Sequence, residues 1–124
     1  MSNPVGPYTP AVWAGPWLVC SGQVGARPGP SGPELVAGGF EAQVRQALAN
    51  VEGLLVGQGL QWAHVVKTTV YLTDIDAYAA FNAVYVEVLG DHRPARALVA
   101  VAALPLGAQV EVEAWAYAGG DAPG

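Results

Sequence analysis

The segment RPARALVAVAALP, beginning at Arg93, sets a guanidinium, Arg96, at the head of an unbroken apolar run over 97–104. A charge placed there has two outlets. The side chain snorkels to water at the end of a strand, or its planar fork of donors meets a carboxylate, from another residue or from a ligand. Buried without a partner, it would be strongly destabilising. Glu111 and Glu113 stand at i and i+2 in VEVEAWA and so share one strand face. That spacing fits a solvated face; inside a subunit interface it would make one of them a partner or a water-orienting group. Tyr8 fits a core or hairpin tyrosine, and Asn82 a solvent-facing amide on a helix. His64 and His92 have no carboxylate or cysteine at metal-ligand spacing, so no metal site is expected. Ser21 has no evident histidine partner for hydrolase chemistry. GPSGP is not followed by Gly-Lys-Ser/Thr and is a loop, not a phosphate cradle.

The surroundings of these residues are unusually poor in charge. The chain has 124 residues, 52% of them apolar and 12% charged, about half the charged share of an ordinary soluble domain. Much of its surface is therefore expected to face other protein, as in a homo-oligomer. One domain over 1–124 is expected from the length. The net charge of −5 sets ten carboxylates against five scattered basic residues, Arg27, Arg45, Lys67, Arg93 and Arg96. That is no footprint for a nucleic-acid backbone. Cys20 is the only cysteine, which excludes an intrachain disulfide and fits a reducing, cytoplasmic setting. No signal-peptide pattern and no membrane-spanning run is read in the chain.

The elements that must hold these residues follow from periodicity. After an N-terminal arm (about 1–7), strand candidates at 8–13 and 17–21 flank the turn residues AGP, a hairpin. The Gly- and Pro-rich stretch over 25–39 is expected to be a loop, with a short extended piece at 34–36. Phe40, Val44, Leu48, Val51 and Leu55 recur at helical spacing, predicting a helix over 40–57 that is ended by Gly57 and Gly59. HVVKTTVYLTD then alternates, with Val66, Thr68, Val70 and Leu72 on one face and Val65, Lys67, Thr69 and Tyr71 on the other. Thr73 and Asp76 form a capping-box pattern for a second helix to about residue 90, with Tyr78, Phe81, Tyr85 and Val88 on one side. Residues 97–104 read as a strand covered on both faces. In QVEVEAWAYA, Val110, Val112, Ala114 and Ala116 oppose Glu111, Glu113, Trp115 and Tyr117. The tail, about 119–124, is expected to be disordered. The order β-β-α-β-α-β-β is an α+β sandwich with two helices on one face of a mixed sheet.

Taken together, GPYTPAV (6–12), SGQV (21–24), QVRQALANVEGLL (43–55), VVKTTVYLTDIDAYAAFNAVY (65–85), RPARALV (93–99) and VEVEAWA (110–116) resemble the Rid (YjgF) family of imine and enamine deaminases. The likeness runs in register over nearly the whole chain, and Pro-Ala-Arg followed by a Val-Glu-x-Glu strand is its most specific part. It implies a chorismate-mutase-like fold in a homotrimer, with ligand clefts between neighbouring subunits. It also implies hydrolysis of 2-imino or 2-enamino acids, such as 2-aminoacrylate, to 2-oxo acids and ammonia without a cofactor. By resemblance Arg96 binds the substrate carboxylate and Glu111 helps to position the attacking water. Tyr8 lines the cleft, and Ser21, Gly22 and Asn82 line or support it. Leu98 replaces a small cysteine beside the ligand, and polar groups usual in the family are absent at Ala97, Ala100, Ala103 and Leu106. These departures leave room for a second reading, a non-catalytic trimer that binds small carboxylic or 2-oxo acids in regulation or sensing.

Overall fold

A computed structural model describes residues 6–119. The arm expected over 1–7 and the tail over 119–124 lie outside them, apart from Gly6, Pro7 and Gly119. The last strand, β7 (Val110–Tyr117), is the keystone. Its Val110, Val112, Ala114 and Ala116 are fully buried, as the alternation predicts, because it lies between β2 (Trp17–Val24) and β5 (Val65–Leu72) in a five-stranded sheet. The sheet order is β1-β2-β7-β5-β6, where β1 is Ala11–Ala14 and β6 is Ala95–Ala100. All neighbours are antiparallel except β5 and β6. Parallel strands need a crossover, and α2 (Tyr78–Leu89) provides it.

Helix α1 (Gly39–Gly57) buries Val44, Leu48, Val51 and Leu55 against the sheet, the stripe that the spacing predicts. It ends where Gly59, at φ +78°, lets the chain turn back. The Gly59 amide donates to the Val56 carbonyl (3.0 Å) and that of Leu60 to the Leu55 carbonyl (2.8 Å), a Schellman cap. Both helices cover the same sheet face, and their core joins Leu18, Val70, Leu72 and Phe81 to the β7 residues. The expected α+β sandwich is therefore present.

Five local expectations are corrected. The first hairpin pairs Ala11–Ala14 with residues 17–20, and its second strand continues to Val24, so the first strand starts later and the second runs longer than expected. The stretch read as a loop contains a second hairpin, β3 (Ala26–Gly29) with β4 (Gly32–Leu35). Pro28 and Pro33 face each other in it, which a two-stranded ribbon tolerates because it has free edges for the missing donors. In β5, Val65 is buried and Val66 exposed, the reverse of simple alternation. A register shift between Val65 and Lys67 adds a residue to that strand and resets its faces below Thr68. The capping box is replaced by Asp74, whose side chain accepts from the Asp76 amide (2.9 Å) at the head of a 3₁₀ turn, Ile75–Ala77. Helix α2 therefore begins only at Tyr78, which is exposed, while Val84 and Leu89 join Phe81 and Tyr85 inside.

The fifth correction concerns β6. The apolar strand expected to be covered on both faces is the edge of the sheet and stops at Ala100. Helices cover one side only, so Leu98 packs on the core while Val99 is exposed.

Candidate functional site

Two cavities are lined by Tyr8, Gly22, Glu111, Asn82 and Arg96, five of the residues singled out by the sequence. The first, about 300 Å³, lies between the β2 bulge, the β3/β4 hairpin and the open face of β7. Tyr8, Gly22 and Glu111 line it together. The register of β2 and β7 shifts between Cys20 and Gln23, so the chain bends at Ser21 and Gly22. The Ser21 hydroxyl donates to the Thr9 carbonyl (2.7 Å), and its amide donates to the Pro10 carbonyl (2.7 Å). Ser21 thus fastens the segment that carries Tyr8 and is not itself among the lining residues. Gly22 gives the Glu111 side chain its place: a Cβ there would lie 2.6 Å from Oε1 of Glu111 and push the carboxylate aside. The carboxylate rests directly on the glycine.

Glu111 is half-buried, and its proton is held above the usual carboxylate range, first by burial and second by the neighbouring Glu113 charge. Glu113 accepts a hydrogen bond from the Tyr71 hydroxyl. That bond, with burial, pushes the Tyr71 phenol up to about 12. A carboxyl poised nearer neutrality is suited to taking a proton from water.

The second cavity, about 260 Å³, lies at the sheet edge and is lined by Asn82, Tyr85, Val86, Arg93, Pro94 and Arg96. Here the guanidinium of Arg96 faces aromatic rings, 5.0 Å from the centre of Tyr85 and 5.8 Å from those of Tyr78 and Phe81. Ring faces attract a cation but leave its in-plane N–H donors free to bind. The salt bridges among the described residues belong to Arg45, with Glu41 and Glu87; Arg96 has none. Its neighbour Arg93 is engaged with the end of α2, donating to the Gly90 carbonyl and to that of His92 (2.9 Å). Tyr85 is fixed by its hydroxyl, 2.8 Å from that of Thr68. Arg96 is therefore the free cation of this cavity, held in place by rings and open to an anion.

The structure thus brings Tyr8, Gly22 and Glu111 together, and Arg96 with Asn82, but it separates the two groups. Arg96 is in register with Thr68, and Thr68 with Ala114; both neighbours are fully buried beneath the helices. Glu111 is in register with Tyr71, and Tyr71 with Val99, on the opposite face. One chain cannot aim both at one small molecule. Leu98 shares the helix-side face with Arg96, packs against the core, and lines neither cavity.

Asn50 and Arg27 also line the first cavity and were not found in the sequence. The Asn50 amide donates to the carbonyls of Val24 (3.1 Å) and Ala26 (2.9 Å), anchoring the β3/β4 hairpin to α1. A polar residue in an otherwise well-patterned helix was the available signal. Among the described residues no three His, Cys, Asp or Glu side chains gather as metal ligands would. No helix among them is long and apolar enough to cross a membrane. Cys20 is buried, and burial pushes its thiol up to about 11, which makes it a poor nucleophile.

The sequence model described as Endoribonuclease L-PSP matches residues 1–118. A human 2-iminobutanoate/2-iminopropanoate deaminase is 41% identical over 115 residues, covering 93% of this chain and 82% of the human one. A RutC family protein of Pyrococcus horikoshii is 40% identical over 115 residues, covering 93% and 90%. The crystal structure of RidA from an Antarctic Psychrobacter superposes with a TM-score of 0.86 at 40% identity, covering 94% of this chain and 92% of that one. The sequence model covers nearly the whole chain and the fold superposes closely on a RidA structure, so the chain belongs to the Rid (YjgF/RutC) family, whose sequence model bears the endoribonuclease L-PSP description.

Proposed function

We propose that this protein is a hydrolytic deaminase of small 2-imino and 2-enamino acids, acting as a cytoplasmic homotrimer whose clefts each take Arg96 from one copy and Glu111 from its neighbour. The observation that carries this reading is the division of one chemical site into two open halves on opposite sheet faces. Arg96 supplies an unpaired fork for a carboxylate. Glu111, seated on Gly22, supplies a base of raised pKa. The low charge content and the exposed Val12, Val99 and Trp115 of the uncovered sheet face fit burial against further copies. The names of relatives at about 40% identity support the same chemistry.

The reaction asks little beyond positioning. Arg96 holds the carboxylate of the imine, and Tyr8 and Asn82 bound the cleft. Glu111 orients a water toward the imine carbon and takes a proton as the C–O bond forms. Glu111 hands that proton to the nitrogen, giving the tetrahedral carbinolamine; the carbinolamine hydroxyl then yields its own proton, by way of Glu111, to the nitrogen as the C–N bond breaks, releasing ammonia and leaving the 2-oxo acid. Alignment of water and electrophile supplies much of the rate, and no step requires a cofactor. Against the ribonuclease chemistry in the family description stand the net charge of −5 and the scattered basic residues.

The test generates imines in situ with an amino-acid oxidase and follows their loss. The protein is expected to accelerate hydrolysis of 2-iminopropanoate and 2-iminobutanoate. No acceleration across a panel of imino acids would overturn the deaminase reading, and calorimetric binding of pyruvate without any turnover would establish the non-catalytic carboxylate binder instead.

A further inference from the structure

We infer that Arg27 makes the Glu111 cavity selective for substrates with a second, side-chain carboxylate, so that the preferred imines derive from dicarboxylic amino acids. This rests on the deaminase reading and names its substrate class. Arg27 lies on β3 and lines the same cavity as Tyr8, Gly22 and Glu111. It is exposed at the rim. The residue opposite it in the hairpin is Glu34, the natural partner for a cross-strand ion pair. That pair is not made. Glu34 turns its carboxylate over Gly29, into the space that a Cβ there would occupy, and the salt bridges among the described residues do not include Arg27.

The mounting of Arg27 is stiff. The carbonyl of the preceding residue, Ala26, accepts from Asn50 (2.9 Å), and Pro28 follows it, opposite Pro33. The prolines also decide what kind of anion fits. Pro28, Pro30 and Pro33, which share the wall with Arg27, bring no amide donors of their own, and Arg27 is the one cationic side chain among the described lining residues, set against the Glu111 carboxyl, a poor match for a multiply charged phosphate. A single planar fork suits one carboxylate, held bidentately. The cavity, at about 300 Å³, is at the small end of ligand sites, in keeping with a short diacid. With the 2-carboxylate on Arg96 of a neighbouring copy, the reacting carbon faces Glu111 and the side chain extends toward Arg27.

Calorimetry with stable 2-oxo acids reads this without relying on turnover. The wild type is expected to bind 2-oxoglutarate about tenfold more tightly than 2-oxobutanoate, the scale of one charge-assisted anchor. In Arg27→Ala that ratio should fall to about one, and in Arg27→Lys, which keeps the charge but not the fork, to an intermediate value. A wild-type ratio near one, a ratio that survives Arg27→Ala, or failure of both acids to bind overturns the inference. The two readings can fail separately: if the ratio behaves as expected while no imine is hydrolysed, the Arg27 anchor stands and the deaminase reading falls.

Discussion

The two cavities are built in opposite ways. Around Glu111 the main chain does the work: a bulge at Ser21 and Gly22, a glycine under the carboxylate, and a hairpin with prolines at opposed positions. Around Arg96 side chains do it, as three aromatic rings of α2 enclose a guanidinium at the edge of the sheet. The first half holds an acid whose pKa is raised by burial and by Glu113, and the second a cation with no acidic partner among the described residues. Neither is a complete site. The difference teaches that a fold can keep a carboxyl and a guanidinium apart, unneutralised, by setting them on opposite faces of one sheet; the proposed assembly is what would bring them together.

That division can be broken most decisively by complementation. Arg96→Ala and Glu111→Gln are each expected to lower turnover by about 10²-fold or more. Dissociated together and reassembled at equal amounts, they should regain activity, since about one quarter of the clefts in a random trimer would unite both intact groups. A mixture as inactive as its components would overturn the two-copy site.

Gly22→Ala addresses the main-chain half alone. The added methyl would meet Oε1 of Glu111 at 2.6 Å and displace the carboxylate. A loss of about 10²-fold in kcat is expected, with much less effect on the binding of 2-oxobutanoate, whose carboxylate the proposed mechanism gives to Arg96. Wild-type kcat in this variant would show that the seat of Glu111 is unimportant.

A smaller effect appears in the pH dependence. Because burial and Glu113 raise the Glu111 pKa, the folded state holds this proton more tightly than the unfolded one. Its ionisation therefore costs stability as the pH rises from about 4.5 through the raised value. Glu111→Gln should be more stable than wild type at neutral pH, and the gap should close below about pH 4.5; denaturant melts across that range measure it. Equal stability at neutral pH would remove the burial penalty assigned to Glu111.

The smallest expected change is spectroscopic. Glu113→Gln should bring the Tyr71 phenol down from about 12 toward 10 in an ultraviolet titration, since the anionic acceptor that holds its proton becomes a neutral amide oxygen. It should also lower the Glu111 pKa, seen as an acid shift of the pH–rate profile. A Tyr71 titration unmoved by this change would exclude Glu113 as its partner.

Much of the fold was legible because its signals are local. The period of two in β7 and the spacing of Val44, Leu48, Val51 and Leu55 in α1 named the buried faces correctly. The misreadings have physical causes of their own. The added residue at Val65 to Lys67 resets a strand's faces without leaving a mark in residue types. The Gly- and Pro-rich stretch hid a hairpin because a ribbon with free edges can accept prolines that a sheet interior would reject. The run after Arg96 looked like a doubly covered strand because apolar residue types do not record that a strand lies at a sheet edge with helices on one side only, where Leu98 packs inward and Val99 is exposed.

The same distinction holds for the site. Residue types and order drew attention to Arg96 and Glu111, since a guanidinium before an apolar run and a carboxylate on a strand face are visible one residue at a time; Tyr8, Ser21, Gly22, Asn82 and Leu98 were singled out only by the resemblance to the Rid family. Only the tertiary structure decided that Arg96 and Glu111 belong to two sets. Whether Arg96 and Glu111 share a face depends on the alignment of β6, β5 and β7, and on α2 folding over one side of them. Those are long-range matters of register and layer, to which periodicity along the chain is blind. Arg27 shows the limit most plainly: in sequence it is one more surface charge, and only the turning of Glu34 over Gly29 leaves it free at the rim of a cavity.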